Sequence, residues 1–282
     1  MAQSDGIYLK KRFGQHFLRD YDVLAKIIHA ADLKENDSVI EIGCGDGFLT
    51  HALIDQPIKS LCCFEIDTEW SDKIKQQIAD TRFQMRQQDF LTVEPSFFKE
   101  HEPWTIVANL PYNITFPILD IFRLHVDHID RGIIMVQEEV AQRLVKRVGQ
   151  GKDYGFASVF YQYCFEFRLL DKVLPQSFFP MPAVVSRLVA FVPKQERAPI
   201  IQETLFWDFL KTCFKQPRRT LRNNIKHMHN LKQQAVHDYL GTFSDRNVYI
   251  DYQSIPSLFL DKRAQQLDFK DFLCIWNAII KS

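Results

Sequence analysis

Along the first two thirds of the chain, apolar positions follow two alternating spacings. Short apolar runs bounded by turn residues alternate with longer stretches whose apolar positions return every three or four residues. The runs are Ser38-Val39-Ile40-Glu41-Ile42, Leu61-Cys62-Cys63-Phe64, Phe83-Gln84-Met85-Arg86-Gln87, Trp104-Thr105-Ile106-Val107, Gly132-Ile133-Ile134-Met135-Val136 and the stretch from Val184 to Phe191. They are predicted as strands. Between them, Leu24, Ile27, Ile28 and Ala31 share one helical face, with Asp20 or Asp22 near its start. Trp70, Ile74 and Ile78 mark a second helix, and Phe116 to Phe122 a third with Thr115 as its N-cap. Gln137 to Arg147 carries acids first and bases last, as the helix dipole favours. Strands alternating with helices predict an α/β fold, a mostly parallel sheet with helices on both faces. The aromatic stretch from Phe156 to Leu170 reads as helix then strand.

After the charged linker from Pro193 to Pro199 the alternation stops. Residues 205–214, 218–229, 231–240 and 269–280 all read as helices. The chain therefore divides into a Rossmann-like domain, 1–195, and a small all-helical domain, 196–282.

The chemistry gathers where strands end. The first strand runs into Gly43-Cys44-Gly45-Asp46-Gly47 and then a helix. Glycines there let backbone approach a ligand, beside a helix N-terminus. The second strand ends at Glu65, about 20 residues on, where dinucleotide folds place the acid that binds ribose hydroxyls. The spacing is Gly-x-Gly-x-Gly, not the Gly-x-Gly-x-x-Gly of a nicotinamide site. It points to a nucleoside cofactor without a pyrophosphate, with S-adenosylmethionine the leading candidate. Asp89 ends the third strand, placed to accept from an adenine amino group; read alone, it fits a turn cap equally well. The fourth strand leads into Ala108-Asn109-Leu110-Pro111-Tyr112-Asn113. The Asn109 amide and the Leu110 carbonyl can accept from an amine, Pro111 stiffens the turn, and Tyr112 offers a flat face to a base. Further on, Pro175-Gln176-Ser177-Phe178-Phe179-Pro180-Met181-Pro182 is a proline-stiffened loop with two adjacent aromatics, one for stacking and one for the core beneath.

Composition narrows the class. With 46% apolar and 25% charged residues, the chain of 282 residues is an ordinary globular protein. No apolar run approaches a membrane span, and the polar start does not read as a signal peptide. The six cysteines lack zinc or Cys-x-x-Cys spacing, so no metal is expected and reduced thiols in a cytoplasmic protein are the simplest account. Formal net charge is zero. Yet between Leu205 and Asn230 lie six basic residues (Lys211, Lys215, Arg218, Arg219, Arg222 and Lys226) against one acid, Asp208, a local footprint for nucleic acid. Lys10-Lys11-Arg12 is a second basic run.

These motifs, taken together and in order, closely resemble the ribosomal RNA adenine dimethyltransferases. The likeness rests on Phe13-Gly14-Gln15-His16-Phe17-Leu18, on Glu41 to Thr50, on Asn109-Leu110-Pro111-Tyr112-Asn113 and on Gln137 to Arg143. It continues through Tyr154-Gly155 with Ser158-Val159, through Phe178 to Ser186, and through Phe214 to Asn224 in the tail. The resemblance implies S-adenosylmethionine as cofactor, contacted by His16, Leu18, Gly43, Glu65, Asp89 and Asn109. It implies target-base contacts from Asn109, Leu110 and Tyr112 in the turn stiffened by Pro111, with Phe178 closing over the other face of the adenine. Domain 1–195 would be catalytic and 196–282 RNA-binding. The implied reaction is N6,N6-dimethylation of two adjacent adenosines in the 3′-end hairpin loop of 16S ribosomal RNA. The expected partner is the small subunit or its precursor, met by a monomer with no membrane attachment. Alternatives are a resistance-type methyltransferase of large-subunit RNA, a DNA adenine methyltransferase, and an assembly factor that keeps the fold without the activity.

Overall fold

The computed structural model describes residues 3–4, 7–8, 10, 15–100, 103–225 and 249–281. The predicted helix at 231–240, the end of the one at 218–229 with Lys226, and Lys11 to Gly14 lie outside the described residues. Two compact units emerge, one of Met1–Val145 with Cys164–Gln195 and one of Lys146–Tyr163 with Glu196–Ser282.

The first unit is built on seven strands: β1 (Ser38–Ile42), β2 (Ser60–Glu65), β3 (Phe83–Gln87), β4 (Trp104–Asn109), β5 (Ile129–Gln137), β6 (Phe165–Val173) and β7 (Ser186–Pro193). Their spatial order is β3-β2-β1-β4-β5-β7-β6. The strands β1 to β5 pair in parallel, while β7 runs antiparallel to both β5 and β6. Every residue of β1 is buried, as expected of a central parallel strand covered on both faces.

Successive residues of these strands point to opposite faces. On one face, Val39, Leu61, Cys63, Val107 and Ile133 pack with α1 (Tyr21–Ala31) and α2 (Phe48–Ile54). On the other, Phe64 meets Phe90 and Phe97 edge-on at 5.0 and 5.1 Å. There Phe122 of α4 (Thr115–Leu124) stacks on Phe191 of β7. Helix α3 (Thr68–Gln77) buries Trp70 and Ile74, and α5 (Glu138–Val145) follows β5 directly.

Local chemistry explains the helix ends. Asp20 caps α1 by accepting from the backbone N–H of Asp22 and Val23, and Asp67 caps α3 through Glu69. Thr115 is not the N-cap of α4. It is the first helical residue, and its hydroxyl donates back to the Pro111 carbonyl at 3.1 Å, binding the helix to the preceding turn.

In the second unit, α6 (Glu203–Cys213), α7 (Leu221–Ile225) and α8 (Phe269–Ile279) carry the apolar faces expected from the sequence. Residues 146–163 group with 196–282 in this unit and not with the sheet. Tyr154 Oη donates to the Leu267 carbonyl at 2.7 Å, and the rings of Phe160 and Tyr163 meet Trp207 edge-on at 4.9 and 5.2 Å. Lys211, Lys215, Arg218, Arg219 and Arg222 are all exposed. No described helix is long and apolar enough to cross a membrane.

Candidate active site

Strand order reverses between β1 and β4, and open α/β sheets hold ligands in the crevice at such a point. The turns that leave β1 and β4 meet there. Gly43 has φ +73° and accepts no ordinary side chain, and a Cβ built on it would lie 3.8 Å from the Pro111 ring. Gly45, at φ +53°, is tighter still: a Cβ there would stand 2.7 Å from the Phe17 ring. The glycines thus bring the β1 loop against both the Asn109 turn and the segment that carries Phe17.

Between these turns opens a cavity of about 310 Å³, a volume at the lower end of small-molecule sites. His16, Gly43, Glu65, Asp89 and the four residues Asn109 to Tyr112 all line it. Most of the residues singled out in the sequence are therefore brought together. Leu18 and Phe178 are not. Leu18 is 4% exposed and Phe178 3%, both within the hydrophobic core, and they face each other in a short antiparallel pairing of Phe17–Leu18 with Phe178–Phe179. The exposed member of the aromatic pair is Phe179, at 42%.

Glu65 is almost wholly buried. Its Oε2 accepts from the Gly45 N–H at 2.9 Å and its Oε1 from the Asp67 N–H at 2.8 Å. Burial pushes its carboxyl above the usual glutamate range, against these backbone hydrogen bonds. Asp89 accepts from the Leu91 N–H at 2.9 Å, so it is both the turn cap and a cavity residue. Asn109 donates from Nδ2 to the His16 carbonyl at 3.2 Å, which leaves Oδ1 as the accepting end of the amide. The Leu110 N–H donates to the Met135 carbonyl at 3.1 Å and fixes the turn to β5. Tyr112 shares a 2.6 Å hydrogen bond with the buried Ser186 hydroxyl, and the His16 ring stacks beside it at 5.8 Å and 23°. His16 in turn holds the Pro180 carbonyl through Nδ1–H at 2.7 Å.

Several contributors were not singled out by sequence reasoning. Asp67, 1% exposed, binds Lys10 Nζ at 2.6 Å and Gln15 Nε2 at 3.3 Å. Arg19 pairs with Asp46 of the glycine loop. Gln15 and Phe17 line the cavity. Each is a contact between residues far apart in the chain, and only the motif around Gln15 gave a local signal.

The lining carries two acids, Glu65 and Asp89, and no lysine or arginine among the described residues. Two acids in the lining suit a cationic sulfonium nucleoside. The residues fit S-adenosylmethionine: a glycine floor free of Cβ atoms, an acid at the β2 end and another beside the β3 end. This sheet order and set of strand ends define a Rossmann-like, S-adenosylmethionine-dependent methyltransferase.

Comparison with known proteins narrows the class. The Ribosomal RNA adenine dimethylase family matches residues 7–259. Ribosomal RNA small subunit methyltransferase A of Mesomycoplasma hyopneumoniae (strain 232) is 39% identical over 224 residues, 79% of this chain and 84% of its own. The protein of that name from Flavobacterium johnsoniae is 32% identical over 270 residues, 96% of this chain and 95% of its own. The crystal structure of a dimethyladenosine transferase from Plasmodium falciparum superposes with TM-score 0.71 at 26% identity, covering 91% of this chain and 94% of that one. The 23S rRNA methyltransferase ErmE shares the fold, with TM-score 0.62 at 23% identity, covering 93% of this chain and 99% of that one. The chain belongs to the ribosomal RNA adenine dimethylase family. It is an enzyme that methylates ribosomal RNA adenines from S-adenosylmethionine.

Proposed function

We propose that the chain dimethylates the N6 amines of two adjacent adenosines in the 3′-end hairpin loop of small-subunit ribosomal RNA, acting on the subunit or its precursor. The observation that carries this reading is the single cavity shared by Gly43, Glu65 and Asp89 on one side and the Asn109 to Tyr112 turn on the other. The full-length relatives named for the small subunit support that choice of RNA.

His16, Gly43, Glu65, Asp89 and Asn109 would hold S-adenosylmethionine, which when bound supplies an electrophilic methyl group. The adenine amine is a poor nucleophile because its lone pair is delocalised into the ring. Asn109 Oδ1 and the Leu110 carbonyl accept from that amine and turn its lone pair outward, and Tyr112 lies against the base. The turn holds its shape because Leu110 is tied to β5 and Tyr112 to Ser186. Rate then comes from alignment, with no titratable base required; the amine proton leaves to water. A base must leave its stack to enter such a cavity, so a loop is the fitting substrate. The exposed bases of the helical unit supply the backbone attraction.

The test is incubation of the full chain with labelled S-adenosylmethionine and unmodified small or large subunits, followed by nucleoside analysis. Label in dimethyladenosine of the small-subunit hairpin is expected. Label confined to large subunits would move the enzyme to the resistance class, and cofactor binding without label would make it an assembly factor.

A further inference from the structure

We propose that Phe179, with Met181 beside it, is the platform on which the nucleotide next to the target adenosine stacks. The inference rests on the RNA reading above and adds to it a second contact site, outside the cavity.

Register is the first support. Phe178 lies opposite Leu18, and Phe179 opposite Phe17. Residues opposite each other in an antiparallel pair share a face, and neighbours along a strand take opposite faces. Phe178 and Leu18 therefore turn together into the core, where both are found. Phe17 and Phe179 share the other face. Phe17 lines the cavity and stands against Gly45, so Phe179 is on the cavity side of the pair, at its outer edge.

The second support is the tie between this loop and the catalytic turn. His16 Nδ1–H holds the Pro180 carbonyl at 2.7 Å, and the same His16 ring stacks beside Tyr112. Phe179 and Met181 flank Pro180, one residue from that bond.

Exposure is the third. Phe179 is 42% exposed, Met181 66% and Val184 42%, an apolar rim on a segment stiffened by Pro180 and Pro182. A base drawn into the cavity leaves its neighbour unstacked at the mouth. An aromatic ring there recovers stacking with any base, and loops of RNA are commonly bound in this way. Phe179 is absent from the cavity lining, so it meets the neighbour and not the target.

The experiment uses the full chain and an RNA hairpin carrying 2-aminopurine one position from the target adenosine. The variants are Phe179→Ala, Phe179→Leu and Phe179→Trp. Quenching of the fluorophore on binding wild type is expected. Phe179→Ala and Phe179→Leu should lose the quench and raise KM for RNA about tenfold, with cofactor affinity and thermal midpoint as in wild type, while Phe179→Trp restores both RNA readouts. Wild-type behaviour of Phe179→Leu would overturn stacking, because leucine keeps the apolar surface without the ring. So would weaker binding to assembled subunits with unchanged binding to the naked hairpin, which would make the partner a protein. Quenching without methylation would leave the platform standing and remove the small-subunit reading.

Discussion

Asn109 ends β4 and is expected to separate alignment from binding. Replacing it with alanine removes two interactions. One is the Nδ2 donation to the His16 carbonyl, a neutral hydrogen bond of 3.2 Å from a half-buried group. Such a bond contributes about 0.5–1.5 kcal/mol, so cofactor affinity should weaken by no more than about tenfold. The other is the Oδ1 acceptor that meets the target amine only when the amine is aligned. Loss of one preorganised polar contact at a reacting group costs roughly 10²–10³ in turnover, or about 3–4 kcal/mol in the barrier. Single-turnover methylation with saturating RNA, set beside calorimetric titration of S-adenosylmethionine, resolves the two. Asn109→Asp keeps an acceptor but sets a carboxylate against the His16 carbonyl, and should fall between wild type and alanine in turnover. Turnover of Asn109→Ala within about threefold of wild type would refute alignment by this amide. A loss of cofactor affinity equal to the loss of turnover would instead place its effect in the hold on His16.

Three further outcomes follow from the geometry. Gly45→Ala should destabilise the fold by roughly 2–4 kcal/mol, from a left-handed backbone and a Cβ 2.7 Å from the Phe17 ring; an unchanged denaturation midpoint would contradict the close approach. Asp67→Ala removes the cap of α3 and the hold on Lys10 and Gln15, and should weaken the binding of S-adenosylmethionine and of RNA together, measured by separate titrations. Glu41 is wholly buried in β1, and desolvation, with the nearby Glu65 and Asp46 charges, pushes its carboxyl up to about 7 despite the Cys63 thiol bonded to it at 3.1 Å. Between the unfolded value near 4.3 and 7, the folded state holds a proton that the unfolded state has lost. Stability from this group is therefore full below that window, falls as pH rises through it, and is lost by roughly 3–4 kcal/mol above it. Denaturant titrations at pH 5 and pH 8 should show wild type losing roughly 2–3 kcal/mol relative to Glu41→Gln, the rest of the loss lying below pH 5, and parallel curves would refute the burial argument.

The parts of the molecule legible in the sequence are those set by near neighbours. Strands β1, β2, β4 and β5 could be read because each is a short apolar run closed by a turn, β3 because Phe83 and Met85 alternate with polar residues, and α1 because its apolar residues return on one face above a capping aspartate. Gly43, Glu65, Asp89 and Asn109 were legible for the same reason: a strand end is a local event. The orientation of Phe178 and Phe179 was not. Two adjacent aromatics must take opposite faces, but which turns inward depends on pairing with Leu18 and Phe17, some 160 residues earlier in the chain. The allegiance of residues 146–163 was hidden likewise, since Tyr154 and Phe160 are fixed by Leu267 and Trp207. Thr115 was misread because its hydroxyl can donate backward as readily as accept forward, and the turn at Pro111 decides.

This division matches a division of labour in the site. The residues proposed to touch reacting groups sit on strand ends, where the sheet fixes their spacing. Those proposed to decide what enters are carried by two distant segments, 15–19 and 174–182, each tied to its surroundings by a few polar bonds. His16 is their junction: its carbonyl accepts from Asn109 and its ring donates to Pro180. A shift of the N-terminal segment therefore moves the cofactor wall and the outer aromatic rim together. Because Asp67 anchors that segment through Lys10 and Gln15, cofactor capture and RNA engagement share one mechanical support. The reacting atoms rest on another, the turn tied to Met135 and Ser186. Asn109 and the loop of Phe179 nevertheless share His16 as a partner, so substitutions at Asn109 and Phe179 should couple, their combined effect on turnover and on KM for RNA departing from the product in the double variant. A combined effect equal to the product would show that rim and turn move independently.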